Sequence, residues 1–174
     1  MMTIGIDPGL HGAVAFYTSA SLHVEDMPTF TLARGGKTKL DIDTHGLVRL
    51  LLDHRLATVY VEQVGAMPGQ GVSSVFAFGK AFGIILGILA ALGVPYNLVP
   101  PQRWKKALQV PAAKDGSRAR ASQLLPAHTE KWKLVKHDGR AEAVLIALYG
   151  HRLENGHAGA TEKPQAHQPL QRGN

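Results

Sequence analysis

The chain has 174 residues, 45% of them apolar, enough for one domain with a real core; this excludes a collagenous, fibrous or wholly disordered protein. It has no cysteine, which excludes a disulfide framework, Cys-bound zinc and a thiol nucleophile and leaves carboxylates, imidazoles or water to hold any metal. The formal charge of +6, from 19 Lys and Arg against 13 Asp and Glu, favours a polyanionic partner.

Thr3 to Asp7 reads as a short buried strand stopped by the Pro8-Gly9 turn. No basic stretch leads into a long apolar run here, so a signal peptide is not expected and a cytoplasmic location is. Ala13 to Tyr17 and Leu22 to Met27 read as two further strands meandering beside the first, and Arg34-Gly35-Gly36-Lys37-Thr38-Lys39 as a basic flexible loop. Asp43 or Thr44 can cap a helix running to about Leu56, and Thr58 to Glu62 is a β-branched, aromatic strand ending in an acid before a Gly-rich loop.

Val75 to Val94 is the most apolar stretch, with Lys80 its only charge. A membrane span needs about 18 uninterrupted apolar residues. Ala81 to Val94 supplies 14 before Pro95, so the expectation is a buried helix of the core and no membrane partner. Gly79, Gly83 and Gly87, four apart, give that helix one smooth face. Tyr96 to Val99 reads as a strand, Pro100 to Leu108 and Asp115 to Leu125 as basic helices, and Asp138 to about Leu153 as a helix with a core face. Residues 1–154 then form one domain, and 155–174, rich in Gly, Pro, His and Gln, a disordered tail. The element order implies an α/β fold, a mixed sheet flanked by helices.

Asp7 and Glu62 each close a strand, and Asp138 and Glu142 sit four apart at the start of the last helix, on one face. If the two strands are parallel neighbours, four carboxylates converge on one hole. Such a group repels itself, and hard divalent cations, Mg2+ with Mn2+ as a substitute, are the natural remedy. Two ions about 4 Å apart can clamp a phosphodiester for in-line displacement. Each acid also has an ordinary reading: Asp7 as a turn former, Asp138 as a helix cap, Glu62 and Glu142 as solvated residues. Ten of the 19 basic residues lie between Pro100 and Arg140, against only three acids.

Gly5-Ile6-Asp7-Pro8-Gly9, Val61-Glu62-Gln63-Val64, the segment Pro101-Gln102-Arg103-Trp104-Lys105-Lys106, and His137-Asp138-Gly139-Arg140-Ala141-Glu142-Ala143 together resemble the RuvC-type Holliday-junction resolvases, over about residues 4 to 150. The resemblance implies a ribonuclease H-like fold with a five-stranded sheet, a homodimer, magnesium dependence with two ions per site, and paired nicking of four-way DNA that leaves 5′-phosphate and 3′-hydroxyl ends. Asp7, Glu62 and Glu142 match the family's first, second and last acids. The third acid of typical members lies three residues before the last, where this chain has Gly139; Asp138 is the substitute, and His137 the other candidate for that corner. Met67 stands where typical members carry an aromatic wedge and is expected to serve against the DNA as an apolar one.

DNA phosphates are expected to meet Lys80, Arg103, Lys105, Lys106, Lys114, Arg118, Arg120 and Lys136. Arg34, Lys37 and Lys39 can extend that track, while Trp104 and Trp132 read as helix anchors, with stacking on bases as their alternative. The dimer contact is expected on the Gly-stepped helix, residues 76–93. Two other classes remain open at this stage: a non-catalytic junction-binding module, and an actin-like or sugar-kinase-like nucleotide binder, for which 174 residues leave little room.

Overall fold

A computed structural model describes residues 1–65, 69, 71–156 and 167, with backbone only at Arg34 and Lys37. Met67 lies outside the described residues, as does most of 155–174. Five strands form the main sheet in the order β3-β2-β1-β6-β7: β1 (Thr3–Asp7), β2 (Ala13–Tyr17), β3 (Leu22–Asp26), β6 (Thr58–Glu62) and β7 (Tyr96–Val99). The meander β1-β2-β3 is antiparallel, whereas β6 and β7 run parallel to β1.

Strand alternation divides the core between the two sheet faces. Ile4, Ile6, Val59 and Val61 face α1 (Thr44–Leu52) and α2 (Val72–Ala91). Tyr60 and Val99 face α5 (Asp138–Glu154), together with Trp104 of α3 (Pro101–Ala107) and Ala121 of α4 (Gly116–Leu124). Two 3-10 turns, Pro126–Trp132 and Val135–His137, lead from α4 into α5. Helix α1 begins as expected on Asp43, whose side chain accepts from the Gly46 amide, and it ends at Leu52, short of Leu56.

Two expectations are corrected. The stretch read as a basic loop is the turn of a hairpin, β4 (Thr29–Arg34) against β5 (Lys37–Ile42). Gly35 and Gly36, at φ 56° and 73°, supply the two left-handed positions that a tight two-residue hairpin turn needs. Helix α2 is not a buried core helix. It buries only Ala81, Ile85 and Leu89, and a Cβ added at Gly79, Gly83 or Gly87 would meet nothing within 4 Å. By length and composition α2 is apolar enough to cross a membrane, since Lys80 is its one charge. Its smooth face points away from its own sheet.

Candidate metal and DNA site

Ile6 pairs with Val61 across the parallel β1-β6 ladder, so Asp7 and Glu62 come next, side by side, at the carboxyl end of the sheet. Both point to the α5 face, as Gly5 and Tyr60 do two residues earlier. Gly5 allows the third acid to approach. A Cβ there would lie 2.2 Å from the Ala143 carbonyl oxygen and 2.3 Å from the Ala147 nitrogen, so only glycine lets α5 lie directly on β1. That contact carries Glu142 over the strand end, and one carboxylate oxygen from each of Asp7, Glu62 and Glu142 lies within 4.8 Å of the others.

The electrostatics are those of three acids with a single ammonium among them. Burial raises the Asp7 carboxyl to about 7, with the fields of Glu142 and Glu62 adding to it and the Gly9 amide, which donates to Asp7 Oδ1 at 3.3 Å, opposing it. Glu62 is also raised, by burial and by Glu142, against the lowering bond from Trp104. Lys105 reaches in from α3, its Nζ 2.9 Å from Glu142 Oε1. Burial pulls its ammonium down, but the bond to Glu142 and the fields of Glu142, Glu62 and Asp7 outweigh that and hold it above the usual lysine value. An all-oxygen donor set with surplus negative charge fits a hard divalent cation.

Asp138 does not join this group. Its Oδ1 accepts from Arg118 Nε of α4 at 3.1 Å, and its side chain is 48% exposed. The place three residues before Glu142 is filled by Gly139, packed against Asp7 Oδ2 and the His11 carbonyl. Sharing a helix face with Glu142 is therefore not enough: the space nearest Asp7 is already taken by backbone. His137, the other candidate, faces the Asp26–Arg140 ion pair; burial, Arg140 and Lys136 lower its pKa, and its buried Nδ1 has no partner among the described residues. Asp138→Asn is expected to change Mn2+ affinity by no more than about fivefold, the scale of an exposed ion pair. Glu142→Gln should abolish binding; calorimetric titration of both variants checks this.

The basic residues divide by role. Lys106, Lys114 and Lys136 are exposed and have no ion pair among the described residues, as phosphate contacts would require. Arg103 is half-buried on α3. Arg118 is engaged with Asp138, and Lys80 with Asp41 of β5. Arg120 is an internal brace: its Nε donates to the Leu108 carbonyl at 2.5 Å and its Nη1 to Gln123. Trp132 is a helix anchor, donating to Ser122 Oγ at 2.9 Å. Two residues that the sequence reading did not assign to the site touch the acids. Trp104 Nε1 donates to Glu62 Oε1 at 3.0 Å, and Ser117 Oγ to Glu142 Oε1 at 2.9 Å. The only sequence signal was that a buried indole N–H must find an acceptor.

No family model matches the sequence. The structure superposes on Thermus thermophilus RuvC in complex with a Holliday junction substrate, with a TM-score of 0.61 and 19% identity, over 95% of this chain and 99% of that one. The fold is that of RuvC. A second Thermus thermophilus RuvC structure matches with a TM-score of 0.52 and 21% identity, over 95% of this chain and all of the other. The mixed five-stranded, ribonuclease H-like sheet expected from the motifs is thus the one found. In sequence, 92 residues are 35% identical to the chloroplastic Holliday junction resolvase MOC1 of Chlamydomonas reinhardtii. That match takes in 52% of this chain and only 10% of the MOC1 protein. The RuvC-type likeness read from the motifs therefore has support in both fold and sequence.

Proposed function

We propose that this protein is a divalent-metal-dependent, structure-selective endonuclease that resolves four-way DNA junctions by paired phosphodiester hydrolysis, leaving 5′-phosphate and 3′-hydroxyl ends. The observation that carries the reading is the convergence of Asp7, Glu62 and Glu142 within 4.8 Å at the carboxyl end of a RuvC-fold sheet. The three carboxylates would hold Mg2+, two ions per site as the resemblance implies, with Mn2+ as a substitute. The ions would supply an activated water and a counter-charge for the leaving oxygen. Lys105, whose ammonium pairs with Glu142 among the acids, would turn to the phosphate undergoing attack. Lys106, Lys114 and Lys136 would hold the flanking backbone, fixing position and not sequence.

Paired cutting needs two such sites related by two-fold symmetry, and an isologous interface supplies that relation. The outward glycine face of α2 is the favoured contact, because it is apolar, long and uncovered by its own protomer. Gly83→Arg tests this: Gly83 is exposed and a Cβ there meets nothing within 4 Å, so the fold should persist while analytical ultracentrifugation finds a monomer where the native chain is a dimer.

The activity is tested by incubating labelled four-way junction or linear duplex with Mg2+. Symmetrical paired nicks in the junction, lost in Glu62→Gln while junction binding persists, are the expected result. Junction binding without cleavage in Mg2+, or in Mn2+ put in its place, would leave a non-catalytic binding module.

A further inference from the structure

Metal-holding acids need more than proximity, since a carboxylate on a rotatable stem must also be held in direction. In this site the direction is set by uncharged donors from two neighbouring helices. Trp104 of α3 is fully buried, and its ring is part of the core beneath α5, so its N–H has one available direction. It uses that direction on Glu62 Oε1. Ser117, in the first turn of α4 and 8% exposed, does the same for Glu142 Oε1. A carboxylate with one oxygen tied in this way keeps its second for a cation. Because indole and hydroxyl are neutral, neither donor cancels the negative charge that attracts the cation, as Lys105 does when it occupies the same Glu142 oxygen.

We propose that Trp104 and Ser117 are positioning residues: they orient Glu62 and Glu142 for the metal and tie the metal site to α3 and α4. Those two helices are themselves joined, because Arg120 of α4 donates to the carbonyl of Leu108, the residue that caps α3. They also carry Lys105 and Lys106, and Lys114 lies just before α4. Any displacement of α3 or α4 would therefore be felt at the two carboxylates they hold. This inference rests on the metal-nuclease reading above.

The test is Mn2+ binding by the full chain without DNA, read from the paramagnetic resonance signal of free Mn2+, for the native protein, Ser117→Ala and Trp104→Phe. Loss of a partner that orients a ligand weakens metal binding by about 10- to 100-fold. Each variant should therefore show a dissociation constant raised at least about tenfold, and cleavage that climbs back toward the native kcat as Mn2+ is raised. A merely structural role would lower the metal-free melting temperature and leave Mn2+ affinity alone. Ser117→Ala removes a single oxygen and decides the matter if Trp104→Phe proves poorly folded. Native Mn2+ affinity in Ser117→Ala overturns the proposal while leaving the nuclease reading intact. No Mn2+ binding by the native protein overturns both.

Discussion

Asp7→Asn is expected to abolish cleavage and, in the absence of metal, to make the protein more stable. Losing one ligand of a catalytic metal removes several kcal/mol of transition-state stabilisation, or about three orders of magnitude in rate. The stability gain comes from linkage. In the folded chain the Asp7 carboxyl is raised from 3.8 to about 7, so between these values the folded state holds the proton more tightly than the unfolded state does. The cost of keeping the ionised acid is fully present above pH 7 and is relieved as pH falls through 7 toward 4. A shift of this size corresponds to on the order of 2 to 4 kcal/mol at pH 8, and about half of that at pH 5.5. Asparagine keeps an oxygen for the Gly9 amide and carries no charge. The metal-free variant should then melt roughly 5 to 15 °C above the native chain at pH 8, with a smaller gap at pH 5.5.

The comparison between variant and native chain matters because other groups titrate nearby. His137, lowered by burial and by Arg140 and Lys136, loses stabilisation as pH falls through the usual histidine range, but it does so equally in both proteins. Asp26, lowered by its bond from Arg140, contributes stability that is lost only in acid, below the window used. Adding Mg2+ should close the gap, because the metal binds the native folded state and not the variant. Melting curves in chelator and in Mg2+ at the two pH values check each part. A variant less stable than the native chain at pH 8 in chelator would mean that the acids are not in conflict.

What could be read from the sequence was whatever depends on local pattern. Asp7 and Glu62 end strands whose β-branched and apolar residues are unambiguous, and once β1 and β6 are neighbours their acids must meet. Other features depend on partners that pattern cannot name. The β4-β5 hairpin was hidden because its basic residues resemble a solvated loop, although the Gly35-Gly36 pair is the hairpin signal. Helix α2 read as buried because composition records how apolar a surface is and not what covers it. Trp104 and Ser117 joined the site only through tertiary hydrogen bonds, the first from a core tryptophan and the second from a first-turn serine. Helical spacing put Asp138 beside Glu142 but gave no account of the backbone already lying next to Asp7.

That backbone makes Gly139→Asp the sharpest test of the site's architecture. The substitution restores the acid spacing of typical RuvC-type resolvases, so motif matching alone would have it strengthen metal binding. The packing predicts the opposite. A Cβ at position 139 would lie 2.4 Å from the His11 carbonyl oxygen, 2.8 Å from the Gly12 Cα and 3.0 Å from Asp7 Oδ2. The turn cannot easily yield. A Cβ at Gly12 would itself lie 2.1 Å from the Asp7 carbonyl oxygen, the Gly12 amide donates to the Gly9 carbonyl at 2.9 Å, and its own carbonyl accepts from the Met27 amide at 2.9 Å. Relief must come from moving α5 off β1 or from turning Asp7 aside, and either separates Glu142 from Asp7. Overpacking of this kind costs about 1 to 3 kcal/mol, and the added charge beside Asp7 raises the cost in the absence of metal. Gly139→Asp should therefore melt lower, bind Mn2+ more weakly and cut at least about tenfold more slowly than the native chain. Gly139→Ala should share most of that loss, because the obstacle is the first carbon of any side chain. Tighter Mn2+ binding by Gly139→Asp would mean that the turn at His11-Gly12 gives way, and that a fourth carboxylate belongs in the site after all.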